Sequence, residues 1–95
     1  MAGSVCFHKA NTFIDNKSIP IVGDVSAEEA ISSLPTTTTI IAEAGDIATV
    51  WYDSAVIVKR FPSGGSVPST GVRIPAGFVE RFAVATGDVV RLEAG

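Results

Sequence analysis

The sequence predicts an all-β fold: a small antiparallel β-sandwich or barrel of jelly-roll character, with one short helix near residues 27–34. Three observations predict it. Twelve valines, nine isoleucines and eight threonines stand against two leucines, and β-branched side chains, stiff at χ1, favour the pleated strand over the helix. Apolar and polar residues alternate with period two in several short stretches, as half-buried strands require. Glycine and proline punctuate the chain at short intervals, which implies tight turns between the strands.

Residues 1–18 mix small, polar and single apolar residues without a steady period. They read as an N-terminal arm, with a short extended piece around residues 5–8 or 12–14, ahead of a single β domain over residues 19–95. Ile19-Pro20-Ile21-Val22 is extended and interrupted by proline, which suits an edge strand or a strand start. Gly23-Asp24-Val25 reads as a turn. Ser26-Ala27-Glu28-Glu29 has the form of a capping box, with serine and glutamate satisfying each other's amides at a helix start. Ala27, Ala30, Ile31 and Leu34 then fall on one helical face, and Pro35 ends the helix. From Thr36 onward the pattern is continuously β. Strands are predicted over residues 36–43, 47–52, 55–61, 72–74, 78–85 and 89–94. Gly45-Asp46, Asp53-Ser54 and Gly87-Asp88 are read as hairpin turns, the glycines as first central residues of type II′ turns. Residues 62–71 form the longest loop.

Bulk composition narrows the function. Of 95 residues, 46% are hydrophobic and only 18% are charged, against about 25% charged in an average domain. A small domain has much surface for its volume, so an apolar and weakly charged one implies cover by another chain. The formal charge is −3 and the seven lysines and arginines are scattered, so the basic stripe of a nucleic-acid binder is missing. No apolar run approaches the length of a membrane span. The first ten residues lack a signal-peptide core, and a lone Cys6 suits a reducing cytoplasm.

Candidate chemistry is sparse, and no enzyme activity or cofactor is expected. His8 is the single histidine, two residues after Cys6. On a strand the two would share a face, but a catalytic base needs an orienting third group that this stretch does not supply. The acids mostly have structural explanations in turns and at the expected helix start. They are too scattered for a carboxylate metal site. Glu80 is the exception, set mid-strand between Phe78 and Phe82. Ser63-Gly64-Gly65-Ser66 lacks the lysine and helix of a phosphate loop and reads as a flexible tip. Trp51, Tyr52, Phe61, Phe78 and Glu80 are the candidate partner-binding residues, since aromatics anchor interfaces. Trp51 and Tyr52 point to opposite faces, so one is expected inside and the other outside.

The stretch Val72-Arg73-Ile74-Pro75-Ala76-Gly77-Phe78-Val79-Glu80-Arg81-Phe82 resembles the second motif of cupins. Pro75, Gly77 and the spacing match, and Glu80 stands where that family has its metal-binding histidine. The resemblance implies a turn leading into a strand and disfavours metal-dependent catalysis. The whole chain also resembles the small β-rich structural proteins of tailed bacteriophage virions, such as capsid decoration proteins and short tail or fibre components. That likeness lies in short Thr/Val/Gly/Ala-rich strands, few charges and no catalytic residues. It implies a non-enzymatic structural protein that forms a homo-oligomer, often a trimer, or that decorates a capsid or other virion protein. The virion would then be its location, and otherwise the cytoplasm. Two other classes remain open: a cupin-like small-molecule binder or degenerate enzyme, with Glu80 and an arginine lining a pocket, and a carbohydrate-binding module using Trp51 or Tyr52.

Overall fold

A computed structural model of the chain describes residues 3–12 and 20–95. It is all-β, with two antiparallel sheets of four strands each. The strands are β1 (Gly3–Thr12), β2 (Pro20–Ile31), β3 (Thr36–Thr37), β4 (Asp46–Tyr52), β5 (Val56–Pro62), β6 (Val72–Ile74), β7 (Val79–Ala83) and β8 (Asp88–Ala94). The first sheet has the order β2-β1-β4-β7 and the second the order β3-β8-β5-β6.

Period-two patterning does its work in both sheets. In β4, Asp46, Ala48, Val50 and Tyr52 are buried while Ile47, Thr49 and Trp51 lie on the other face, half-buried. In β5, Val56 and Val58 point inward between the half-buried Ile57 and Lys59. Val5, Phe7, Val50 and Tyr52 of the first sheet join Val56, Val58, Val90 and Leu92 of the second in one hydrophobic cluster. Phe7 lies opposite Ala48, and Ala48 lies opposite Phe82. The small residue between two rings lets the layer interdigitate. Gly3 lies opposite Tyr52, and a Cβ there would collide with the Tyr52 ring and the Trp51 carbonyl. Glycine at this point therefore makes room for the tyrosine in the core.

The predicted helix is replaced by strand. Residues 27–31 belong to β2, paired residue by residue with β1 from Ala27↔Phe7 to Ile31↔Gly3. An isolated helix of some eight residues is marginal in water, because nucleation is costly and little follows it. Pairing with β1 offers those backbone groups a full ladder instead. The predicted turn at Gly23-Asp24-Val25 is likewise absorbed into β2, whose pairing shifts register near Phe7 and His8. The expected arm is also corrected over residues 3–12. That stretch is an inner strand, flanked by β2 on one side and β4 on the other. Its remaining residues 13–18, with the extended piece proposed at 12–14 beyond Thr12, lie outside the described residues.

Two connections change meaning. Asp53-Ser54 joins β4 to β5, but these strands sit in different sheets, so the connection crosses between layers and is no hairpin. Predicted residues 36–43 pair as a strand only at Thr36 and Thr37. Beyond them, the Thr38 amide donates to the Val90 carbonyl (2.8 Å) and the Ala42 amide to the Asp88 carbonyl (2.9 Å), with the chain bulging between. The Gly-Asp turns at 45–46 and 87–88 exist, with glycine one place later than expected. The Asp46 amide donates to the Glu43 carbonyl and the Asp88 amide to the Ala85 carbonyl. Gly45 and Gly87 therefore occupy the third turn position, at φ 82° and 90°, which a type II turn reserves for positive φ.

Leu92, with none of its surface exposed, lies in the middle of the shared core. Leu92→Ala is expected to lower unfolding free energy by about 2–5 kcal/mol, measured by urea denaturation.

Candidate interaction surface

Several buried polar groups need explanation before the surface is considered. Asp46 and Asp88 are both buried and close both turns in the same way. The Glu43 amide donates to Asp46 Oδ2 at 2.8 Å, and the Ala85 amide donates to Asp88 Oδ2 at 2.9 Å. Each aspartate also meets a cation: Lys9 Nζ is 2.9 Å from Asp46 Oδ1, and Arg60 Nη1 is 3.3 Å from Asp88 Oδ2. Ser26 Oγ donates to Asp46 Oδ1 at 2.7 Å. Burial pushes the Asp46 carboxyl upward, but the Lys9 ammonium, the Glu43 amide and the Ser26 hydroxyl outweigh it and hold it below the usual aspartate range.

His8 is fully buried on the face of β1 turned away from the core cluster. Its Nε2 lies 2.6 Å from Thr49 Oγ1 and its Nδ1 3.3 Å from the Lys9 carbonyl. A carbonyl only accepts, so Nδ1 carries the proton and Nε2 accepts from the threonine hydroxyl in the neutral ring. Both nitrogens are thus occupied in tying β1 to β4. Cys6 lies opposite Thr49 and Glu28. Burial, then the negative charges of Glu28 and Asp46, pushes its thiol up, so at neutral pH it is a poor nucleophile. Among the described residues, no group of three histidine, cysteine or acidic side chains is placed to hold a metal ion.

The capping-box residues serve across the molecule. Ser26 reaches Asp46, as above. Glu29 Oε1 accepts from the Thr39 amide (2.7 Å), the Thr39 hydroxyl (2.9 Å) and the Ile40 amide (3.3 Å). One carboxylate thereby fastens β2, at the edge of the first sheet, to the chain leaving β3, at the edge of the second.

Among the described residues the opposite side has no such carboxylate, and the short β6–β7 connection joins its two edges. There β6 and β7 form the other edges of the two sheets. Between them lies an open groove of ≈ 310 Å³, its walls including Val58, Val72, Phe82, Val84 and Val90. Among the described residues, the exposed large hydrophobics are Val72 (53%), Phe78 (57%), Val79 (52%) and Val67 (46%) on β6, β7 or the segments leading into them, together with Val25 of β2 (59%) and Ile41 beyond β3 (47%). Exposed apolar side chains are ordinary when scattered singly, and only a contiguous patch sets a contact surface apart. Among the described residues Lys9, Lys59, Arg60 and Arg91 are each ion-paired within the chain. Among the same described residues, Arg73 of β6, Arg81 and Glu80 of β7, and Glu28 of β2 form none.

The five candidate contact residues separate on this map. Tyr52 lies in the core and Phe61 is buried, so neither is free to meet a partner. Trp51 is half-buried on the outer face of β4, beside Val79 of β7. Phe78 stands exposed in the turn before β7, and Glu80 is exposed on β7 opposite Val50. The cupin-like stretch does make a turn into a strand, closed by the Phe78 amide on the Pro75 carbonyl (3.2 Å). Glu80 is absent from the groove walls. Composition alone missed Val72 and Val79, because valines in strands usually read as core. No family model, curated protein or solved structure matches the chain.

The low Asp46 value gives a pH dependence of defined sign. A carboxyl depressed in the folded state adds stability above its unfolded value, about 3.9, and loses it as pH falls through the folded value. Urea stability measured from pH 6 downward is expected to drop in the wild type as this window is crossed. Asp46→Asn should be less stable at neutral pH and show a shallower drop.

Proposed function

We propose that the two sheets form a sandwich of jelly-roll character and that the protein is a non-enzymatic structural subunit. It associates with copies of itself or covers a larger assembly, in the manner of a virion component. The shared hydrophobic cluster supports the sandwich. The chain also alternates between sheets, since the β4–β5, β6–β7 and β7–β8 connections each pass from one sheet to the other.

The observation that carries the functional reading is the side formed by β6 and β7. On it, Val72, Phe78 and Val79 are about half exposed, and a groove opens onto core side chains. Water is a poor neighbour for such a surface, and a partner that removed it would gain burial free energy. The groups most suggestive of catalysis point elsewhere. His8 is sealed between β1 and β4, and the Cys6 thiol is held protonated.

Size-exclusion chromatography with light scattering is the test. The purified chain is expected to show a mass above the 9.8 kDa of one copy, increasing with concentration. Val79→Lys, at an exposed position where folding is not at risk, should weaken association at least tenfold, roughly 1.4 kcal/mol. A species that stays at one-copy mass at every concentration would remove self-association from the reading.

A further inference from the structure

Resting on the reading of a self-associating subunit, we propose that its partner is a second copy of this chain, joined edge to edge through β7. The first sheets of the two copies then run on as one continuous antiparallel sheet.

Sheet edges invite pairing, and proteins blunt them with short strands, charged side chains, proline, bulges or cover. Three of the four edges here are blunted. β3 has two residues and β6 has three. β2 begins at Pro20, shifts register twice and is strapped by Glu29 to the chain beyond β3. β7 has neither proline nor register shift, among the described residues nothing straps it, and the two charges it carries, Glu80 and Arg81, are of opposite sign. It pairs with β4 over five residues in unbroken register, from Ala83↔Ile47 to Val79↔Trp51. Its outward edge carries no strand among the described residues.

Charge and area both allow a copy as the occupant. The chain carries −3 overall, yet β7 holds one glutamate and one arginine, so two copies meet there without net repulsion. A standard interface covers about 800 Å² on each partner, a modest share of the 5332 Å² exposed by one chain. The exposed Phe78 and Val79, together with the groove wall at Phe82, supply apolar area at the same place.

Symmetry restricts the register. Opposed residues in an antiparallel pair share a face, so a strand meeting its own copy about a two-fold axis must be centred on a residue. Centring on Glu80 or on Arg81 would set a charge directly against itself, which is unfavourable. Centring on Phe82 avoids both clashes. It brings the two Phe82 side chains together, where offset or edge-to-face rings attract, and sets Arg81 opposite the partner's Ala83. The two Ala83 Cβ atoms are then diagonal neighbours, about 7–8 Å apart.

Cross-linking tests this in a Cys6→Ser background. Ala83→Cys and Ala30→Cys are both at exposed positions, on β7 and β2 respectively. Each is treated with a thiol-reactive linker of about 8 Å, matched to that diagonal spacing. The expected result is a two-copy product for Ala83→Cys and none for Ala30→Cys. Light scattering on the unmodified chain separates the failures. If the chain associates but Ala83→Cys gives no product, or Ala30→Cys gives it instead, pairing through β7 is overturned while self-association stands. If the chain stays at one-copy mass, both are overturned.

Discussion

Everything in this fold hangs on two apolar sheet faces covering each other. Neither sheet could remain folded with its inner face wet, because each carries a row of large aliphatic or aromatic side chains. Val5, Phe7, Val50 and Tyr52 need Val56, Val58, Val90 and Leu92 above them, and the reverse holds equally. This mutual burial recruits the N-terminal strand into the middle of a sheet. β1 contributes Val5 and Phe7 to the core, and its backbone is satisfied on both sides by β2 and β4. Without it the first sheet would lose its inner strand and β2 would have nothing to pair with.

The polar groups that burial traps are handled by one repeated device. Asp46 and Asp88 close their turns through a backbone amide three residues earlier, and each is neutralised by a cation from another strand. The two turns are also bonded to each other's surroundings, since the Gly87 amide donates to the Ala42 carbonyl (2.9 Å). A buried carboxylate left without such partners would cost several kcal/mol. The layer ends are thus fixed by charge-assisted hydrogen bonds and the layer centre by apolar packing.

The two long sides of the molecule differ in how they are finished. On one, Glu29 ties three donors of the neighbouring sheet's connection to β2. On the other, short β6 and regular β7 leave a groove, exposed valines and an exposed phenylalanine. That asymmetry, more than any single residue, is the basis for reading the chain as a building element.

Strand class, period-two faces and turn sites were legible in the sequence because they depend on neighbouring residues. β-Branched content, the alternation of residues 47–52 and the Gly-Asp pairs at 45–46 and 87–88 all act over a few positions, whereas the pair at 23–24 is drawn into β2. Pro20 acts as locally, and does begin an edge strand. Other features were decided only in three dimensions. Ser26 and Glu29 suit a capping box locally, but Asp46, Thr39 and Ile40 lie within reach in the folded chain and claim them. Residues 3–12 look like an arm until β2 and β4 are on either side. Tyr52 rather than Trp51 faces the core because Gly3, far away in sequence, leaves space for its ring. Pairing between distant strands sets these outcomes, and a linear pattern records which residues can pair but not which of them meet.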